Sequence, residues 1–173
     1  MNKVIFLLIL FSMTSCSFQS SQFEIIKSLQ TNGNTQGPIK NWTFTWNNKQ
    51  TNLFAVNVGN QIIFTDGTIS IFYKDLQIYK ITGLFSNDAI VEVRFDGSSL
   101  AYYLNGNKIS HDTCENRIVI PDVAGGKNYL QQCYDQKSGL SYENQIRLNS
   151  REYITGLYFK VHPDYPSLEL SLK

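Results

Sequence analysis

The stretch His111-Asp112-Thr113-Cys114-Glu115 packs imidazole, carboxylate and thiol groups, all of them metal ligands, into five consecutive residues. A structural zinc site needs about four ligands, usually arranged as two spaced pairs, and no second pair occurs. The other histidine, His162, stands alone before Pro163. With Cys114 oxidised, no thiolate is left there for a metal or for nucleophilic attack. The stretch therefore reads as a solvated turn beside a disulfide. Ala124-Gly125-Gly126-Lys127-Asn128 has the look of a phosphate loop. That motif also needs a Gly four positions removed from the Gly-Lys pair and a Ser or Thr after the Lys. Pro121 and Asn128 fill those places, so the segment is expected to be a flexible loop. Gly-x-Ser-x-Gly is absent. Acidic pairs such as Asp75 with Asp88 could hydrolyse a glycosidic bond only if both carboxylates faced one cleft, which sequence spacing does not establish. The sequence points to no catalytic residue, no metal and no cofactor.

A different chemistry is written at the N-terminus. Val4–Phe11 is apolar, Lys3 precedes it, and Met13-Thr14-Ser15-Cys16 closes it before a run of serines and glutamines. A membrane span needs about 20 apolar residues, so this run is too short. The charge, apolar stretch and small residues have the layout of a secretory signal. Met13-Thr14-Ser15-Cys16 resembles a bacterial lipobox. The resemblance implies that Cys16 becomes the acylated N-terminus, with residues 1–15 as signal peptide and 16–22 as acylated Cys and tether. Ser17, rather than Asp, follows the Cys. By resemblance to Gram-negative lipoproteins this implies the periplasmic face of the outer membrane, held stably because several acyl chains bind a bilayer where one does so marginally. The alternative is an ordinary secretory signal with Cys16 incidental.

The sequence has three cysteines, an odd number for an exported chain. Lipidation of Cys16 would leave Cys114 and Cys133 as a pair, which an oxidising periplasm allows to bridge. The alternative is two separate buried thiols. The formal net charge is +1, without the excess of positive charge that nucleic-acid binding calls for. The aromatic content is 13%, which argues against disorder.

The elements that would carry these groups read as β-strands. Residues 23–30 could form a short helix with Phe23, Ile26 and Leu29 on one side. Beyond Pro38 the period becomes two: Trp42, Phe44 and Trp46 alternate with Thr43 and Thr45, and Phe54, Val56 and Val58 alternate again. Asp66-Gly67 is expected to close a tight hairpin between Gln61–Thr65 and Thr68–Tyr73. Further strands follow to Leu168, Leu170 and Leu172. The expectation is one all-β domain over 23–173, mostly antiparallel, a sandwich or open barrel of ten or more short strands. The aromatic row is either core or a sugar-stacking platform. On the second reading Trp42 and Trp46 would contact a glycan or partner.

Two stretches, Ile62–Asp88 and Tyr153–Lys173, resemble the outer-membrane lipoproteins associated with group 4 capsule and exopolysaccharide secretion, the YjbF/GfcB type. The matching positions are Asp66, Gly67, Thr82, Gly83 and Leu84 in the first, and Pro163, Pro166, Leu172 and Lys173 in the second. These are turn and strand residues. The resemblance implies a non-catalytic, lipid-anchored protein that assists assembly or export of a surface polysaccharide, contacting the glycan or an export-machinery protein. A strand edge or an aromatic cleft would make that contact. Two other classes stay open on sequence alone: a small-ligand carrier with a cavity inside a barrel, and a glycan-active enzyme.

Overall fold

The computed structural model describes residues 41–173 apart from Asn87. The signal segment, Cys16 and the expected helix at residues 23–30 lie outside the described residues. The described chain is all-β. Strands β1 (Asn41–Trp46), β2 (Lys49–Val58), β3 (Gln61–Thr65), β4 (Ser70–Lys74), β5 (Gln77–Thr82), β6 (Ile90–Asp96), β7 (Ser99–Leu104) and β8 (Asn107–Cys114) form an up-and-down meander. Then come β9 (Ile118–Pro121), β10 (Lys127–Asp135), β11 (Ser141–Leu148), β12 (Ile154–Phe159) and β13 (Leu168–Leu172).

The C-terminal strand closes the ring. β13 lies between β12 and β1, pairing Leu170 with both Leu157 and Phe44. At the other seam β10 pairs with β8 on one edge and β11 on the other. Every pairing is antiparallel, and twelve strands form a closed barrel with β9 as a side annex. The expected antiparallel all-β class is observed, and the sheet is closed rather than open. β8 and β9 share one edge of β10: Cys114 faces Cys133, and Ile118 faces Leu130.

A twelve-stranded ring is wider than the eight-stranded size that side chains just fill. Here, however, the interior side chains meet. Trp42 packs edge-on against Phe64, with ring centroids 4.8 Å apart. Tyr102 on β7 reaches Tyr142 on β11, oxygen to oxygen 2.6 Å. One continuous buried cluster runs from Trp42 to Leu170 and includes Leu53, Ile71, Ile81, Val91 and Leu157. The ring therefore encloses a packed interior, and each fully buried aliphatic side chain contributes about 1.5–3 kcal/mol. A filled interior counts against the small-ligand carrier reading.

The turns refine the expected hairpins. Trp46–Lys49 and Leu104–Asn107 are closed by two-residue turns at Asn47-Asn48 and Asn105-Gly106, all with positive φ. The Asp66-Gly67 connection is longer than the two-residue turn expected, because Thr65 pairs with Ser70 and four residues lie between them. Asp66 Oδ1 accepts the N–H groups of Thr68 and Ile69, both at 2.8 Å, and holds this wider turn. Gly83 packs on the same corner. Its φ is +76°, and a Cβ there would lie 2.0 Å from the Thr68 carbonyl oxygen. Gly83→Ala combines a left-handed backbone with a main-chain clash and is expected to cost about 2 kcal/mol or more. Gly97→Ala, also at positive φ but with open space around it, is expected to cost about 1 kcal/mol. Urea midpoints of the two variants check the difference.

Candidate functional site

The residues singled out from sequence are mostly structural. Alternation along β8 splits His111–Glu115 between two faces: Asp112 and Cys114 are buried, whereas His111, Thr113 and Glu115 are exposed. Among the described residues no group of three or more His, Cys, Asp or Glu could hold a metal. Asp112 Oδ2 accepts from the hydroxyls of Tyr102 at 2.9 Å and Tyr142 at 2.7 Å. Burial, with the neighbouring phenol and carboxylate, raises the Tyr102 phenol far above its ordinary range, so it remains a donor. Cys114 and Cys133 are bridged. Residues 122–126 form a tight hairpin turn rather than a flexible loop, with Asp122 and Gly126 joined N–H to O at 2.9 Å. Lys127 then starts β10 and pairs with Glu152 at 2.6 Å.

His162 lies against Phe85 and Tyr165, its Nδ1 accepts the Asp164 N–H at 3.2 Å, and burial lowers its pKa. Asp75 and Asp88 lie beyond opposite ends of β5 and share no cleft. Trp42 and Trp46 are 3% and 8% exposed. Trp46 is held by Phe85, Tyr165 and a hydrogen bond from Nε1 to the Pro166 carbonyl. The sugar-platform expectation for these two rings is corrected to core, because inward-facing positions of β1 bury both faces of the indoles.

The site with chemistry to offer is a notch in the barrel wall. β5 and β6 pair only from Lys80–Glu92 to Thr82–Ile90. Beyond Lys80 and Glu92 the two strands diverge, and their facing main-chain groups leave the ladder. The resulting groove has a volume of about 420 Å³ and is lined by Gln77, Tyr79, Lys80, Glu92, Val93, Arg94 and Phe95.

A bulge builds one wall. Phe72 pairs with Lys80 and Tyr73 with Ile78, so Tyr79 is the extra residue. Ile78 and Ile81 both point into the core although they are three apart. Tyr79 and Lys80 consequently sit together on the outer face. The Tyr79 hydroxyl donates to Gln61 Oε1, and its ring lies 6.1 Å from that of Phe72. Partial burial raises its pKa. Lys80 Nζ stands 5.5 Å over the Phe72 ring.

On the opposite wall, Arg94 Nε and Nη2 donate to Glu92 Oε2 at 3.2 and 2.6 Å. The guanidinium lies 4.2 Å from the Tyr103 ring centroid. The hydrogen bond to Glu92 raises the Arg94 pKa. The groove thus combines aromatic faces with a planar carboxylate–guanidinium pair, an amide and an ammonium group. Sugar rings present apolar C–H faces and vicinal hydroxyls, which suit such a lining.

Sequence reasoning passed over Tyr79, Lys80, Glu92, Arg94 and Phe95. The detectable signal was the broken period at Ile78 and Ile81, which marks a bulge.

Fold and site together define a closed antiparallel β-barrel with a packed interior and a polar–aromatic notch in its wall. The solved structure of the hypothetical lipoprotein YmcC from Escherichia coli K12 is similar, with a TM-score of 0.57 and 10% sequence identity, covering 90% of this chain and 96% of that one. No protein-family model and no curated protein matches the sequence. At such low identity the likeness establishes the fold.

Proposed function

We propose that this chain is a lipid-anchored outer-membrane lipoprotein that binds polysaccharide in the β5–β6 notch and assists capsule or exopolysaccharide assembly or export without catalysing a reaction. The notch carries the reading: Tyr79 and Phe95 supply ring faces, and Gln77, Lys80, Glu92 and Arg94 supply donors and acceptors around one open groove. Its single carboxylate favours binding over hydrolysis, which calls for two carboxyl groups across a glycosidic bond. Asp112 and Asp135 do face each other in the β8–β10 register, but both are fully buried, out of a substrate's reach. The lipobox at Cys16, the resemblance of Ile62–Asp88 and Tyr153–Lys173 to capsule-associated lipoproteins, and a fold shared with a hypothetical lipoprotein support the envelope location.

Calorimetric titration with oligosaccharides cut from the producing strain's own surface polysaccharide tests the site. Tyr79→Ala and Arg94→Ala are each expected to weaken binding about tenfold, the scale of one lost anchor residue. Tyr158→Ala, exposed on β12, is expected to leave it unchanged. Undetectable binding by the unmodified protein would overturn the glycan reading. For the anchor, Cys16→Ala is expected to abolish incorporation of labelled fatty acid, and continued incorporation would refute it.

A further inference from the structure

Strand β9 is aliphatic, has one edge unpaired among the described residues and is exposed along its length. Ile118, Val119 and Ile120 are 57%, 50% and 43% exposed, and Val123 in the following turn is fully exposed. β9 pairs with β10 from Ile118–Leu130 to Pro121–Lys127, and with no described strand on its other edge. Natural edge strands are commonly guarded by charge, by proline or by brevity. Here no charge falls within the strand, and its guards are its length of four residues and Pro121 at its end. The Asp122 N–H donates toward β10, to the Gly126 carbonyl. By alternation, Ile120 and Ile118 direct their main-chain groups to β10, and Val119 directs its own outward.

We propose that this edge pairs with the same edge of a second copy of the chain, antiparallel about a two-fold axis through Val119. Ile118-Val119-Ile120 reads the same in both directions. The two-fold therefore sets Val119 against Val119 of the other copy, and Ile118 against Ile120. A two-fold interface requires this self-complementarity, and β-branched residues opposite one another are favourable cross-strand pairs. The antiparallel sense also places Arg117 near the Pro121-Asp122 end of the other copy. Parallel pairing would instead set Arg117 against Arg117 and Asp122 against Asp122. A four-residue edge covers less than the roughly 800 Å² per partner of a standard stable complex, so the pair is weak and forms at high protein concentration.

The register gives a specific test. Across the two-fold, residues 118 and 120 form a non-hydrogen-bonded pair, whose side chains are close enough for a disulfide. The full-length protein is made as Ile118→Cys and as Ile120→Cys, and the two are mixed under mild oxidation. The mixture is expected to give about tenfold more cross-linked dimer than either alone or than Lys49→Cys, an exposed variant at the start of β2, far from β9 in the strand order. Val119→Lys, placed in both, sets like charges opposite each other and is expected to abolish the excess while leaving the urea midpoint unchanged. A mixture that cross-links no better than Lys49→Cys overturns the proposal. So does a dimer that survives Val119→Lys.

Discussion

Replacing Lys160 with Met is expected to cost about 3–5 kcal/mol of stability, because it strands a buried carboxylate. Lys160 follows β12, and its Nζ donates to Asp135 Oδ2 at 2.5 Å. The Asp135 side chain is 1% exposed. Its Oδ1 accepts the N–H groups of Lys137 and Ser138 at 2.9 and 3.1 Å. Burial alone would raise the Asp135 pKa, but Lys160 and these N–H groups outweigh it and bring the carboxyl from 3.8 to about 2. A depressed folded pKa stabilises the protein at pH values above the unfolded one. That contribution, about 2 kcal/mol, is present above about pH 4 and is lost as pH falls through about 2. In Lys160→Met the loss over this acid range should shrink, since the carboxyl no longer has its cation. Urea unfolding at neutral and acid pH measures both effects. Asp135→Asn combined with Lys160→Met should cost clearly less than Lys160→Met alone, because the neutral amide leaves no unpaired charge. Equal costs would show that the ion pair is not the source.

Removing the Cys114–Cys133 bridge is expected to cost about 3 kcal/mol, from the chain entropy that the cross-link withdraws from the unfolded state. The two cysteines face each other across β8 and β10 and lie 19 residues apart in sequence. The enclosed loop contains β9 and the turn at residues 122–126, both secured mainly by pairing with β10. A Cys114→Ala/Cys133→Ala variant, and the wild-type chain under strong reductant, should therefore unfold at the same lowered urea midpoint. Hydrogen exchange should rise most between residues 115 and 132. A midpoint unaffected by reductant would contradict the bridge's stabilising role.

The two sites show which features local sequence can encode. Alternation in Trp42–Trp46 and Leu168–Leu172, and turn residues at Asn105-Gly106, act over a few residues. They made the antiparallel all-β class legible. The odd cysteine count offered Cys114 and Cys133 as a pair but left two separate thiols open, and the pairing of β8 with β10 decides for the bridge. Trp42 and Trp46 show the limit: alternation placed them on one face, but not whether that face met solvent or another wall of the ring. Only closure, with β13 inserted between β12 and β1, buried them.

The all-β strand content and turns such as Asn105-Gly106 were determined by the sequence itself, because period-two burial and positive-φ turns depend on neighbouring residues. The tertiary structure alone decided the notch, the Asp135–Lys160 pair and the exposed β9 edge. The notch exists because a bulge at Tyr79 and the divergence of β5 from β6 coincide in space. The ion pair exists because β10 and β12 flank β11 on either side, which brings the end of β10 to the residue after β12. The spacing of Ile78 and Ile81 marks the bulge locally, but which strands meet around it depends on the whole ring, which no local pattern in hydrophobicity or turn chemistry encodes.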